Sequence, residues 1–377
     1  MRILAFPGVS ASTVFSLAAL LRAARHAGHE VMIATNPEVA EAAAGIGIPS
    51  TVVTTMTWQE AVFRGRDGSA LEPPEDVHGR REYVGHMFGR FAASTLAGIG
   101  DLVRSWRPTV TLGCPLAFSA PVLAAELGIP CVRQSWDAGD PAREEEVGAD
   151  VELAPELGRL GLHKVPDPDL RVEIAPPSLL STDLPPGVPM RWTPGNVQKP
   201  LEPWMYRPAD RPRVLVTTGS MASPEHRGDV LHRMVEAVVA MEAEVVVATT
   251  PELATQLHDE ERGIYAGWVP LDVVAPTCDV IVHPVGAVTG MTAMQAGVPQ
   301  VYVPEWDILL GTTRALEAYG AGVMLPPREG TPEQMIEACR TVLGDVSYRE
   351  RAGELAREMA ELPPPSQIVT EIERLAG

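Results

Sequence analysis

Basic residues are the first shortage. Thirty Lys+Arg against 49 Asp+Glu leave the 377-residue chain with a formal charge of −19. Nucleic-acid binding needs a basic face that displaces phosphate counterions, and anionic membranes are met by basic amphipathic helices. Neither pattern occurs, which argues against nucleic acid and membrane as partners. Cysteine is scarce as well. Cys114, Cys131, Cys278 and Cys339 lie far apart with no Cys-x-x-Cys spacing, so a zinc site is disfavoured and the four read as reduced thiols of a cytoplasmic protein. No run approaches the roughly 18 uninterrupted apolar residues of a membrane span. The first residues, MRILAFPG, lack the form of a signal peptide. No carboxylate cluster is placed to hold a metal, and no cofactor is expected. Gly-x-Gly-x-x-Gly follows the first strand of neither half, which disfavours hydride transfer.

What is present is an α/β pattern that occurs twice. Arg2–Phe6 is a short apolar run, followed by a Pro/Gly/Ser loop, a helical stretch Val14–Ala27 and a second strand Glu30–Ala34; Val110–Leu112 and Pro130–Arg133 read as strands around the helix Ala117–Leu127. The pattern restarts with strands at Arg213–Thr217, Glu244–Ala248, Ile264–Ala266, Val280–His283 and Gln300–Val303, with helices Val230–Met241, Thr289–Ala296 and Pro332–Val342 between them. Short apolar strands alternating with helices predict parallel, doubly wound sheets. Residues 166–211 carry many prolines and read as an ordered linker with little regular structure. The expected domains are 1–203, with the linker, 204–362, and a C-terminal helix in 363–377 that returns to the first domain. Ligands of open α/β sheets bind at the carboxyl ends of the strands, so the chemistry is sought in the loops that follow them.

Three such loops stand out in the second half. Val280–His283 ends in His283-Pro284-Val285-Gly286-Ala287-Val288-Thr289. A short turn with Gly286, Ala287 and Val288 leads into a helix that starts near Thr289, where the N–H groups and dipole suit an anion. His283 reads either as a diphosphate donor or as a satisfied core histidine, and Thr289 as phosphate donor or plain N-cap. Gly219-Ser220 follows Arg213–Thr217; glycine permits close backbone approach and Ser220 brings a hydroxyl, or the pair is only a turn. Trp268-Val269 follows Ile264–Ala266. The indole is suited to stack on a nucleobase while the Val269 backbone reads its edge, or it is a core tryptophan.

In order, Gly267-Trp268-Val269-Pro270, Cys278-Asp279-Val280-Ile281-Val282-His283 and Ala296-Gly297-Val298-Pro299-Gln300 resemble the nucleotide-sugar domain of GT-B glycosyltransferases. Its pattern is Gly-Ser/Thr, then G-W-x-P, D-x-x-V-H-H-G-G-x-G-T and A-G-V-P-Q. The resemblance implies two Rossmann-like, doubly wound parallel-sheet domains facing across a cleft. It also implies that Ser220, His283 and Thr289 contact a diphosphate and that Trp268 and Val269 frame a base. This chain departs at Pro284 and Val285, where the pattern has His and Gly, and at Asp307-Ile308, where it has Asp-Gln. Loss of that pair suits a deoxysugar, which offers fewer hydroxyls.

In the first half, the loop Pro7–Phe15 holds no histidine. Asp137, in Gln134-Ser135-Trp136-Asp137-Ala138, follows a strand beside Trp136. It reads as a general base or as an N-cap or solvated loop residue. Thr57–Phe91 reads as the least regular part of this half and as the acceptor wall. There Met87, Phe88 and Phe91 line an apolar pocket or form the buried face of a helix. Ser10 with the Ala-Ser-Thr-Val-Phe run after it, the Gln134–Ala138 stretch, Pro200–Tyr206 and Pro270–Asp279 are similar to angucycline olivosyltransferases of the urdamycin and landomycin type. That resemblance implies transfer of an olivose-type deoxysugar from a dTDP donor to an aromatic polyketide, with Asp137 as base and Ser10 beside the acceptor. Whether the new bond is C–C or C–O stays open, and so does a homodimer. The rival readings are a non-catalytic partner protein of the same fold and a sugar-nucleotide epimerase.

Overall fold

In the computed structural model, the described residues are 1–139, 143–183, 185–219, 228–305, 310–327 and 330–377. The chain divides into two compact units. The first comprises Met1–Ile174, Ser181–Gly195 and Leu362–Gly377, and the second Ala175–Leu180 and Asn196–Glu361.

The first unit runs β1 (Arg2–Phe6), α1 (Ser12–His26), β2 (Glu30–Thr35), α2 (Pro37–Gly45), β3 (Ser50–Val52), α3 (Trp58–Phe63), α4 (Val77–Gly98), α5 (Gly100–Trp106), β4 (Val110–Gly113), α6 (Ser119–Leu127), β5 (Cys131–Gln134), α7 (Arg143–Glu152), α8 (Ala154–Arg159), β6 (Leu170–Glu173) and β7 (Val188–Pro189). The strands pair in the order β3-β2-β1-β4-β5-β6-β7, in parallel throughout. Ile3, Leu4, Val110, Leu112 and Val132 are buried, which is the pattern of strands covered on both faces. The segment Leu362–Gly377 belongs to this unit, and Arg191 N–H donates to Pro363 C=O at 2.7 Å.

The second unit runs β8 (Arg213–Thr217), α9 (Gly228–Val239), β9 (Glu244–Ala248), α10 (Pro251–Leu257), β10 (Ile264–Gly267), α11 (Leu271–Val274), β11 (Val280–His283), α12 (Ala287–Ala296), β12 (Gln300–Tyr302), α13 (Gly311–Tyr319), β13 (Gly322–Met324), α14 (Pro332–Gly344) and α15 (Val346–Glu361). Its six parallel strands lie in the order β10-β9-β8-β11-β12-β13. One face packs Val214, Val216, Val245 and Val247 against α9 and α14; the other packs Leu215, Val246 and Ile281 against Val274 and Ala293. Strand order reverses between β8 and β11, and in such sheets that switch point opens a crevice at the carboxyl ends. Among the described residues, no helix is long and apolar enough to cross a membrane.

The strands foreseen at Arg213–Thr217, Glu244–Ala248 and Val280–His283 occur with those bounds. Two expectations are corrected. Thr57–Phe91 is not irregular: it holds α3 and most of the 22-residue α4. Thr57 and Glu60 form a capping box on α3, and Asp76 caps α4 by accepting from Gly79 N–H. The proline-rich stretch contains β6 and β7, which extend the first sheet.

Glycines in α4 disguise it, since each costs about 1 kcal/mol in a helix interior. Here they allow close approach to α7. A β-carbon on Gly85 would stand 1.9 Å from the carbonyl oxygen of Glu145, and one on Gly148 2.1 Å from that of Glu82. The pair is further tied by the buried Arg90, which donates to Glu152 at 2.8 Å and to Ala61 C=O. Overpacking typically costs 1–3 kcal/mol. Gly148→Ala is therefore expected to lower unfolding free energy by about 3 kcal/mol in a denaturant titration. Gly158→Ala, in α8 with open space around it, should be neutral or slightly stabilising. A Gly148→Ala protein as stable as the parent would contradict the packing described.

Candidate functional site

The carboxyl ends of β8, β9, β10 and β11 collect the polar features of the second unit. After β8, Thr217 Oγ1 donates to Ala248 C=O at 2.8 Å and accepts from Gly219 N–H at 3.0 Å. This draws the strand end against β9 and sets Gly219 at φ +81°, a conformation glycine adopts without steric penalty. Ser220 lies outside the described residues, as do Asp307 and Ile308. After β10, Gly267 C=O accepts from Thr249 N–H at 3.0 Å. Val269 is buried and packs with Trp204, Leu215 and Val246. Trp268 is only half-buried, and the Lys199 ammonium stands 5.3 Å from its ring centroid. The ammonium meets the negative face of the indole, a cation–π contact at a half-buried ring.

His283 ends β11 and is 1% exposed. Its Nδ1 accepts from Gly286 N–H at 3.2 Å, and its Nε2 meets Gln300 Oε1 at 2.8 Å. A backbone N–H only donates, so Nδ1 is bare and the ring proton sits on Nε2, donating to Gln300. Burial pushes the imidazole down to about 4, against a smaller opposite pull from the Gln300 hydrogen bond. Both ring nitrogens are thus committed within the protein. The ring shapes the turn that follows it, and of the two readings left open by the sequence the observed bonds are those of a satisfied core histidine.

That turn is unusual. Val285 adopts φ +61°, a left-handed conformation that is an outlier for a β-branched residue. Gly286 occupies the N-cap of α12 and no side chain caps the helix. The first intrahelical bond is Gly290 N–H to Gly286 C=O at 2.8 Å. The N–H groups of Ala287, Val288 and Thr289 are therefore the helix's unpaired donors, and these residues are partly exposed. Thr289 is the third residue of the helix and does not cap it. Its hydroxyl oxygen would stand 3.5 Å from a β-carbon on Gly286, so it borders the same turn. Three N–H groups, a helix dipole and a hydroxyl are groups of the kind that can receive an anion.

In the first unit, Ser10 follows β1 and Asp137 follows β5. With β4 between them, the two loops leave the same edge of the sheet about 10 Å apart. The Ser10 loop is pinned by Val9, buried against Ala61, Val62, Met87 and Phe91, and by Asn36 Nδ2, which donates to Val9 C=O at 3.2 Å. Ser10 Oγ lies 3.2 Å from Ser12 Oγ. Asp137 is half-buried and accepts from Gly139 N–H at 2.8 Å. Met87 and Phe91 are 8% and 5% exposed and belong to that buried cluster. Phe88 and Trp136 are partly open and share a cluster with Ala92, Leu116 and Phe118. A β-carbon on Gly8 would stand 3.3 Å from the Phe88 ring, so that ring borders the Ser10 loop. Sequence reasoning missed Gln300 and Tyr302. The available signal was a glutamine opening the short strand Gln300–Tyr302, which needs a partner when buried.

Comparison with known proteins covers both units. Residues 22–219 match the N-terminal domain of erythromycin biosynthesis protein CIII-like proteins, and residues 232–375 match the corresponding C-terminal domain. The L-demethylnoviosyl transferase of Streptomyces niveus is 30% identical over 373 residues, covering 98% of this chain and 96% of that one. The glycosyltransferase SsfS6 of Streptomyces sp. SF2575, solved in complex with thymidine diphosphate, superposes with a TM-score of 0.89 at 32% identity, covering 99% of each chain. The spinosyn rhamnosyltransferase SpnG, solved with spinosyn aglycone, has a TM-score of 0.87 at 28% identity, covering 99% of this chain and 100% of that one.

The state of His283 has a consequence for stability. Its native value lies below the usual 6.5. Between those two pH values the unfolded chain binds a proton that the native one does not. The contribution is therefore complete above pH 6.5 and lost as pH falls towards 4, about 3 kcal/mol in all. From pH 7.5 to 5, denaturant unfolding of the parent should lose about 2 kcal/mol more than that of His283→Gln. Equal losses in the two proteins would contradict the buried neutral ring.

Proposed function

The chain belongs to the erythromycin biosynthesis protein CIII-like family and is a glycosyltransferase, and from that premise we propose that it moves a deoxysugar of D-olivose type from a dTDP donor to a phenolic angucycline or related aromatic polyketide, with inversion at the anomeric carbon. The observation that carries the donor half is the corner after β11. Its uncapped N–H groups at Ala287, Val288 and Thr289 suit the diphosphate, and the half-exposed Trp268 suits the thymine. SsfS6, alike along 99% of the chain, was solved with thymidine diphosphate, which supports the same nucleotide here. Ser220 and Gly219 complete the proposed diphosphate site from β8, and the Val269 backbone reads the base edge.

In the proposed reaction, Asp137 removes the proton of an acceptor phenol. The phenolate oxygen attacks the anomeric carbon as the bond to the diphosphate oxygen breaks. Attack by the ring carbon ortho to that oxygen gives a C-glycoside instead, and the ring then loses a proton to regain aromaticity. Negative charge moves from the acceptor to the departing diphosphate, where the α12 N–H groups receive it without reorganising. Ser10 lies beside the acceptor, and Phe88 and Trp136 offer apolar faces to flat rings over the floor of Met87 and Phe91. The relatives named above carry different sugars in their names, demethylnoviosyl and rhamnosyl. Sugar choice thus varies on one scaffold, and the Asp307-Ile308 departure favours a sugar with few hydroxyls.

General-base catalysis typically contributes 10²–10⁴-fold. Asp137→Ala and Asp137→Asn should therefore lose about 10³-fold in transfer from dTDP-olivose to a phenolic aglycone, followed by chromatography, while binding thymidine diphosphate as the parent does. Turnover within tenfold of the parent would remove Asp137 from the role. An NMR spectrum of the product assigns the bond as C–C or C–O.

A further inference from the structure

Three buried polar side chains stand behind α12, in a region where apolar ones would fill the space. His283, Gln300 and Tyr302 are 1%, 1% and 2% exposed, on the adjacent parallel strands β11 and β12. Gln300 Oε1 accepts from His283 Nε2 at 2.8 Å and from Tyr302 O–H at 2.9 Å, and Gln300 Nε2 donates to Gly290 C=O at 3.2 Å. His283 Nδ1 accepts from Gly286 N–H at 3.2 Å. The imidazole and phenol rings meet edge to face, with centroids 4.9 Å apart. Each donor direction is dictated from outside the trio. Gly286 N–H can only donate and Gly290 C=O can only accept, which orients the imidazole, then the amide, then the hydroxyl.

The chain of bonds therefore grips both ends of the first turn of α12, at Gly286 and at Gly290. Those residues are themselves joined by Gly290 N–H to Gly286 C=O at 2.8 Å. Between them lie the three free N–H groups. Burying polar groups is costly unless all are satisfied, and in this chain of bonds each partner has a defined place. What the trio adds over an apolar filling is direction. It also holds a turn that must keep Val285 left-handed, a conformation that persists only when its surroundings over-determine it.

We propose that Gln300 and Tyr302 are positioning residues of the donor site, acting through His283 to fix the Gly286 turn so that the N–H groups of Ala287, Val288 and Thr289 converge on the diphosphate. The proposal rests on the reading of that corner as the diphosphate site. It predicts a selective effect: loosening the trio weakens contacts to the phosphates and leaves contacts to the nucleoside unchanged.

The test compares thymidine diphosphate with thymidine on the full chain, by calorimetry for the first and ligand-observed NMR for the second. Loss of one neutral hydrogen bond corresponds to about a three- to tenfold loss of affinity. Tyr302→Phe should raise the Kd for thymidine diphosphate about threefold and Gln300→Leu at least tenfold, with the Kd for thymidine unchanged within twofold. His283→Asn, whose amide oxygen can take the Gly286 N–H, should retain more diphosphate affinity than His283→Leu. Equal losses for both ligands would indicate general damage and overturn the proposal; so would variants that bind both as the parent does. A parent protein that gains no affinity from the diphosphate would overturn the underlying reading itself.

Discussion

The backbone N–H of Gly286 has one acceptor, the Nδ1 of His283, and much of the second unit's architecture is organised around making that bond. It requires a histidine at the last position of β11, buried and uncharged. It requires a glutamine on β12 to take the other ring proton. It requires a turn tight enough to bring Gly286 back to the strand end, at the expense of a left-handed valine. Once these conditions hold, α12 begins with its dipole and free donors directed outward from the sheet, at the point where strand order reverses between β8 and β11. A corner whose groups can receive an anion follows from the same geometry.

This has a chemical consequence for an acidic protein. A net charge of −19 opposes a dianionic ligand at long range, and salt screens that field over about 8 Å. Local donors fixed in place are not screened in the same way. Preorganised N–H groups meet developing charge without moving, so the proposed leaving-group site needs no cluster of arginines or lysines. A neutral His283 fits that logic. Its part is to hold donors in place, and the charge itself would be met by the helix.

Much of the fold was legible because parallel strands covered on both faces are written as short apolar runs. Arg213–Thr217, Glu244–Ala248 and Val280–His283 each stop at a residue that changes texture: Thr218-Gly219, Thr249, Pro284. Helix α4 was not legible. Gly79, Gly85 and Gly89 weaken its local signal, and the purpose of Gly85 and Gly89 appears only when α7 lies against them, with Gly148 answering Glu82. Capping signals did exist, Thr57-x-x-Glu60 for α3 and Asp76 for α4. The place of His283 was legible as a strand end. Its inward direction was not, because the residue that fixes it, Gln300, lies 17 positions away and was read only as the start of a strand. In the first unit, Asp137 and Ser10 were legible as loop residues after β5 and β1. Their spacing on the sheet edge depended on knowing that β4 lies between.

A neutral, internally bonded His283 holds the first turn of α12, the turn proposed to meet the donor diphosphate. Nitrogen-15 NMR of the histidine rings and backbone tests it directly, with thymidine diphosphate added at pH 5. His283 should keep a protonated Nε2 and a bare Nδ1 with and without nucleotide, and the amides of Ala287, Val288 and Thr289 should shift with thymidine diphosphate and not with thymidine. A His283 that is doubly protonated at that pH, or that moves its proton to Nδ1 when nucleotide binds while those amides stay still, would contradict it.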